Sequence, residues 1–244
     1  MGDEALDAWV TRRANREPVQ VILAETWFRN VRLATAPGVF IPRPETEIVA
    51  GLAIAAAASA WPDPKVIEAC TGSGAIICAL LTEVPGVHVV ATELDGAAAA
   101  LARDNVASAL RSEAGCQLAE GATGEVRQGS LLDPVDQDWC GHVDVLVANP
   151  PYLPASDVGT WDPEVASQDP VAALVGGVHG NEIVDELARL AMTWLVPGGT
   201  LVLELDPRLA DDAKHHAEQV GLVDVRIAGD LTGRDRALVA RRPA

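Results

Sequence analysis

Asn149, Pro150, Pro151 and Tyr152 stand together at the end of the apolar run Val143–Ala148. The Asn149 side-chain oxygen and the Pro150 carbonyl are two acceptors that could take both N–H bonds of one planar NH2 group. An amide or aromatic amino nitrogen has its lone pair spread into a π system and is a poor nucleophile. Two acceptors fixed upon it would hold it in line with an incoming electrophile and raise its electron density, which is catalysis by positioning and preorganised dipoles. Tyr152 adds a ring that could stack on such a group. The bland alternative is an ordinary exit from a strand, because Asn and Pro are common turn residues.

A second constellation lies upstream. Glu68-Ala69-Cys70-Thr71-Gly72-Ser73-Gly74 follows an apolar run and opens a helical one. Glycines there let a backbone approach a ligand closely, and the helix behind them offers free N–H groups. The third glycine of the dinucleotide fingerprint is missing, and no Gly-Lys-Ser/Thr phosphate loop occurs. Glu93 ends the next strand, placed to accept both hydroxyls of a ribose. A short glycine turn with such an acid, and nothing to hold phosphates, suits an adenosine without phosphates. S-adenosylmethionine is such a ligand.

The elements that must position these residues alternate along the chain. Residues 3–16 read as a short polar helix and Val19–Leu33 as extended segments turning near Arg29-Asn30. A stiff proline loop, Pro37 to Pro44, leads into a helix from Glu45 to about Ala60, broken by Pro62-Asp63-Pro64. Strands are expected at Lys65–Ala69, Val87–Thr92, around Val126, at Val143–Ala148 and at Thr200–Leu205. Helices are expected at 75–83, 97–110, 182–195 and 208–219, and Val223–Ile227 with Ala237–Ala240 suits a closing hairpin. The stretch 115–124 reads as a loop insertion, and a long loop follows Tyr152. Proline has no N–H to give a central sheet, so Pro150 and Pro151 end their strand abruptly. Strands alternating with helices predict a doubly wound, mostly parallel sheet, whose carboxyl edge is where ligands bind.

Composition narrows the class of protein. The chain has 244 residues, 49% of them hydrophobic, enough to bury one full α/β core. Its 35 acids against 18 bases give a formal charge of -17, which works against non-specific attraction to nucleic acid. Cys70, Cys78, Cys116 and Cys140 have no metal-ligand or redox spacing, the histidines form no ligand cluster, and no metal is expected. The beginning Met1-Gly2-Asp3-Glu4 is acidic and unlike a signal peptide, and Ile48–Trp61 is too short to span a bilayer, so a cytoplasmic protein with no membrane partner is expected.

With these strings in view, the chain resembles the HemK/PrmC family, methyltransferases that modify the glutamine amide in the Gly-Gly-Gln loop of peptide-chain release factors. Matching segments run from Arg16-Glu17-Pro18 to Gly233-Arg234-Asp235-Arg236. They include Ile41-Pro42-Arg43-Pro44-Glu45-Thr46-Glu47, Cys70-Thr71-Gly72-Ser73-Gly74-Ala75, Asn149-Pro150-Pro151-Tyr152 and Pro197-Gly198-Gly199-Thr200-Leu201. The resemblance implies a seven-stranded, Rossmann-like class I methyltransferase fold over 41–244, preceded at 1–40 by a short helix and hairpin standing in for a substrate-binding domain. It implies S-adenosylmethionine contacts at Arg43, Cys70, Thr71, Gly72, Gly74, Glu93, Ser130, Leu131 and Asn149. It implies an acceptor held by Asn149, Pro150, Pro151 and Tyr152, with Asn149, Pro150 and Tyr152 catalytic.

The chain departs from that family in places. Residues 1–17 precede Pro18 where a larger helical domain is usual. Ser130 stands where an acid is expected near the adenine, and Gln168-Asp169-Pro170 replaces a Glu-Pro. Glu204 ends its strand as in the family, but the following Gly and Gln give way to Asp206-Pro207-Arg208-Leu209. A release factor is the leading acceptor. A small molecule with an amide or amine nitrogen is the alternative, with adenine-N6 methylation of nucleic acid and a non-catalytic binding module behind it.

Overall fold

A computed structural model describes residues 3–113 and 115–244; Met1, Gly2 and Ala114 lie outside the described residues. The chain opens with helices α1 (Asp3–Ala14) and α2 (Val19–Leu23), then strands β1 (Glu25–Phe28) and β2 (Val31–Ala34). Helix α3 (Thr46–Ser59) leads to strand β3 (Lys65–Ala69), helix α4 (Ala75–Glu83), strand β4 (His88–Glu93), helix α5 (Gly96–Leu110) and strand β5 (Thr123–Gln128). Strand β6 (Val143–Ala148) is followed by β7 (Leu153–Pro154), helix α6 (Pro163–Gln168), β8 (Val175–Gly177), helix α7 (Glu182–Trp194) and strand β9 (Leu195–Glu204). Helix α8 (Ala210–Gln219), β10 (Val223–Gly229) and β11 (Asp235–Arg241) complete the chain.

The main sheet has seven strands in the order β10-β11-β9-β6-β3-β4-β5. From β9 to β5 neighbouring strands pair in parallel, while β11 runs antiparallel to both β9 and β10. This is the doubly wound, mostly parallel sheet expected from the alternation of elements. Its central strands β3 and β6 are largely apolar because both faces are covered. Side chains alternate across the sheet. Val66, Val145, Val147 and Val202 join the core under α3, α4 and α5. Ile67, Leu146, Ala148, Leu201 and Leu203 join the core under α7 and α8.

The chain winds outward from β3 through β4 to β5, then returns to place β6 on the other side of β3. That reversal opens a crevice beyond the carboxyl ends of β3 and β6, the usual ligand site of such sheets. Glu93 and Asn149 both sit on this edge.

Three readings of the sequence are corrected. Val19–Leu23 is a short helix, because its apolar residues Val21 and Ile22 are buried as one face of a single turn rather than in a strand. The expected loop 115–124 already contains the first residues of β5, Thr123 and Gly124, paired with His88 and Val89. The long loop after Tyr152 is structured: it carries α6 and the parallel pair β7–β8. Gly176 is the reason that segment closes on itself, since a Cβ there would lie 2.4 Å from the Pro151 carbonyl oxygen.

The N-terminal segment packs into the same core, through Phe28, Val31 and Leu33. Asn105 of α5 fastens it: its Oδ1 accepts from the Ala34 N–H at 2.8 Å, and its Nδ2 donates to the carbonyls of Ala34 and Ser73. Arg29 adds a two-pronged ion pair to Glu83, at 2.6 Å on each prong. Among the described residues, no helix is long and apolar enough to cross a membrane.

Candidate active site

Beyond Ala69 the chain turns through Cys70, Thr71, Gly72, Ser73 and Gly74 before α4 begins. Cys70, Gly72 and Gly74 have φ of +57°, +56° and +86°. Left-handed backbone suits glycine, and Cys70 holds it as a side-chain-bearing residue. A Cβ on Gly72 would meet no atom within 4 Å, so that stretch of backbone faces open space. The Thr71 N–H donates to the Thr92 carbonyl at 3.0 Å, which draws the turn toward the end of β4.

Glu93 locks the two loops together. One carboxylate oxygen accepts from the Gly72 N–H at 2.8 Å and the other from the Asp95 N–H at 2.9 Å. Each oxygen keeps a further lone pair for a ligand hydroxyl. Below the turn, Glu68 is buried, and burial pushes its carboxyl up to about 8, against the pull of the Thr71 hydroxyl and the Ile77 N–H. Beyond β5, the Gly129 N–H donates to the Glu93 carbonyl at 2.9 Å, which sets Ser130 and Leu131 beside the same loop. Ser130 is exposed and Leu131 has a φ of +44°. Leu94, 68% exposed, is an apolar side chain on this rim that sequence reasoning passed over. Its signal was a lone leucine between two acids at a strand end. Open glycine backbone, an acid with free lone pairs and the start of α4 fit the adenosine and amino-acid ends of S-adenosylmethionine.

The second half of the crevice is built from three separated stretches. Asn149 leaves the end of β6, and its Nδ2 donates to Thr46 Oγ1 at 3.1 Å, at the start of α3. Two of the motifs quoted from the sequence, residues 41–47 and 149–152, therefore meet through one hydrogen bond. Pro150 is buried and Pro151 half-buried, pressed by the glycine backbone at 176. The Tyr152 hydroxyl donates to Glu204 Oε1 at 3.2 Å, at the end of β9. Burial and the neighbouring Glu204 push the Tyr152 phenol up, so it stays protonated and its ring is anchored by its far end.

Glu204 is only 1% exposed, and burial raises its carboxyl to about 7. Thr46, Arg236 and Tyr152 favour its charged form. Neither Thr46 nor Glu204 stood among the site residues expected from sequence. Each sits in a recognised segment, but their contact with Asn149 and Tyr152 is made only by the crossing of α3 over β6 and β9.

Arg43 lies to one side. Its guanidinium pairs with Asp169 at 2.5 Å and sits 4.9 Å from the centre of the Phe40 ring. Burial raises the Asp169 carboxyl while Arg43 pulls it back. Together with Arg16, Glu164 and Gln168 they line a cleft of ≈ 350 Å³ between the N-terminal segment and α6. Arg13 of α1 also reaches Glu164, at 2.8 Å. A larger cavity of ≈ 620 Å³, lined by Asp144, Gly198, Arg226 and Arg241, contains none of the expected site residues.

No protein-family model matches the chain. It is 38% identical over 235 residues to the release factor glutamine methyltransferase of Streptomyces coelicolor, covering 96% of this chain and 79% of that one. It is 37% identical over 242 residues to the enzyme of the same description from Deinococcus radiodurans, covering 98% and 81%. Among solved structures, a methyltransferase from Pyrococcus furiosus superimposes with a TM-score of 0.62 at 19% identity, over 96% of this chain and 100% of that one, a likeness of fold.

Proposed function

The chain belongs to the release factor glutamine methyltransferase family, and from that premise we propose that it methylates the side-chain amide nitrogen of a release-factor glutamine. The observation that carries the reading is the meeting of Asn149 and Thr46 at the carboxyl edge of β6, beside the Glu93 loop. S-adenosylmethionine, held by the Glu93 loop, would supply an electrophilic methyl group, and the amide nitrogen that accepts it would give up one proton to solvent.

The protein's part is to make a poor nucleophile ready. Asn149 Oδ1 is left free by the bond its Nδ2 makes, and with the Pro150 carbonyl it would accept the two N–H bonds of the amide. Holding both fixes the nitrogen's direction of attack and favours the developing charge. Tyr152, tethered at its hydroxyl, would present its ring to the planar amide. Glu93, Gly72 and Gly74 would hold the cofactor, with Cys70, Thr71, Ser130 and Leu131 completing the rim. Arg43, paired with Asp169, would shape the approach to the site rather than meet the cofactor directly. The segment before residue 40 would serve the same approach, since Arg13 and Arg16 reach the cleft beside α6.

The test is transfer of labelled methyl to a purified release factor at low salt, followed by sequencing of the Gly-Gly-Gln peptide. Label on that glutamine, lost at least about a hundredfold in Asn149→Ala, is expected. An unlabelled release factor together with a labelled extract metabolite would replace the protein acceptor by a small molecule.

A further inference from the structure

A single apolar side chain in water needs no explanation, because much of any protein surface is apolar. Two on this protein are held out by turns that are themselves pinned. Leu231, at the tip between β10 and β11, is 95% exposed, and Val178, between β8 and α7, is 71% exposed. Neither touches the crevice where Glu93 and Asn149 sit, and neither serves the core.

An acid fastens each turn. Asp230 Oδ1 accepts from the Thr232 N–H at 2.8 Å, the Thr232 hydroxyl at 2.6 Å and the Arg234 N–H at 3.1 Å. The Asp230 N–H donates to the Arg234 carbonyl at 2.8 Å, and the Gly233 N–H to the Asp230 carbonyl at 2.9 Å. Around Val178, the Glu182 carboxylate accepts the His179 and Gly180 N–H groups, each at 2.8 Å. Gly177 makes room for that carboxylate, since a Cβ there would lie 2.3 Å from it. Backbone ordered in this way has little freedom left to lose when a partner covers it.

Both turns stand at the carboxyl edge, beside the acceptor motif. The Val178 turn packs on that motif: a Cβ at Gly176 would lie 2.4 Å from the Pro151 carbonyl oxygen, and one at Gly180 would lie 2.8 Å from that of Tyr152. The Leu231 turn continues β11, whose Ala237 lies opposite Glu204, the residue that anchors Tyr152. Its last ladder pair is Gly229 with Asp235, so the tip stands about 7 Å or more past Glu204 at about 3.4 Å per residue. Strand β9 separates β11 from β6, which adds about 10 Å sideways. An amide seated at Asn149 therefore meets Leu231 only if a much larger body carries it.

We infer that Leu231 and Val178 are contact points for the folded body of the acceptor protein, and that they select an intact release factor over a free peptide or a small amide. The inference rests on the acceptor reading given above and adds to it a surface away from the reacting atoms. The partner it asks for carries an apolar patch on a folded domain, beside a protruding glutamine. Covering two preordered apolar side chains adds affinity for that whole domain and none for the glutamine alone.

The experiment compares a purified release factor with a short synthetic Gly-Gly-Gln peptide as acceptors for the wild type, Leu231→Asp and Val178→Asp. Each substitution should raise KM for the factor by about tenfold or more. Turnover at saturation, KM for S-adenosylmethionine and kcat/KM for the peptide should all stay within about twofold. Leu231→Met should behave as wild type, and thermal melts check that the variants fold. Binding of the factor is measured separately, with S-adenosylhomocysteine present, so that the surface is read without methyl transfer. An unchanged KM for the factor in either variant, an equal loss with the peptide, or a wild-type protein that does not bind the factor overturns the inference. A factor that is methylated with the same KM by all the proteins leaves the acceptor reading standing and removes the surface. A factor that binds, loses affinity in both variants and yet receives no methyl leaves the surface standing and removes the acceptor reading.

Discussion

Replacing Glu93 by alanine tests the cofactor half of the site directly. In the structure its two carboxylate oxygens accept the Gly72 and Asp95 N–H groups at 2.8 and 2.9 Å, and each would also accept a ribose hydroxyl. A hydrogen bond to a charged acceptor is worth about 1.5–3 kcal/mol, so losing even one from the cofactor weakens binding by about 10- to 150-fold. The loop itself is half-exposed, and water can satisfy the two freed N–H groups. Their loss should cost about 1 kcal/mol of stability, or about 2–4 °C in Tm for a chain of this size. Glu93→Gln should fall between, because one retained oxygen accepts while its NH2 group opposes a backbone N–H. Calorimetric titration of S-adenosylmethionine, run beside thermal melts of all three proteins, separates the two effects. An affinity within twofold of wild type in Glu93→Ala, in a protein that melts normally, would remove the acid from the site and with it the reasoning from the β4 edge.

Three further outcomes follow from particular residues. Cys70→Val should destabilise by about 1–3 kcal/mol, because a β-branched side chain of similar size must take φ near +57°; an unchanged melting temperature would show that the turn relaxes freely. Glu68 and Glu204 have carboxyls raised to about 8 and about 7 in the folded protein. Each therefore binds a proton on folding, and the stability this contributes is complete below about pH 4.5 and lost as pH climbs through 7 and 8. Urea unfolding should weaken by up to about 1.4 kcal/mol per pH unit for each group across that window, and Glu68→Gln should flatten the slope; a parallel slope in the variant would discount Glu68. Glu17, Asp136, Asp206 and Asp230 are shifted the other way, and their contributions disappear only toward acid. Arg43→Ala should destabilise more than Asp169→Asn, by about 1–3 kcal/mol, because it strands a carboxylate only 4% exposed, whereas Arg43 at 38% exposed can turn to water. Equal melting temperatures for the two variants would refute that asymmetry.

The sequence by itself determined the sheet and the residues of the carboxyl edge. Short, largely apolar runs rich in Val, Ile and Leu at 65–69 and 143–148 read as strands covered on both faces, and the proline pair after Asn149 can only end one. The helix at 75–83 was legible because a glycine turn opens it, and the closing hairpin because two short runs of strand character flank a turn. These are local signals, carried by period, proline and glycine. What failed was also local in kind. Val19–Leu23 has strand-like residues in too short a run to show a helical period, and 153–177 pairs through strands of two and three residues.

Only the tertiary structure decided which side chains meet. Asn149 and Thr46 are 103 residues apart and Tyr152 and Glu204 are 52 apart, and no spacing rule could pair them. They meet because α3 packs across β6 and β9, whose register sets Ala148 opposite Leu203 and so brings Asn149 beside the end of β9. Arg43 and Asp169 were likewise read separately, and the fold of the segment after Tyr152 joined them. Residue type and local order say which groups can do chemistry. The partners that Asn149 and Tyr152 find, Thr46 and Glu204, come from a distant helix and a distant strand, and they meet only once the chain has closed over them.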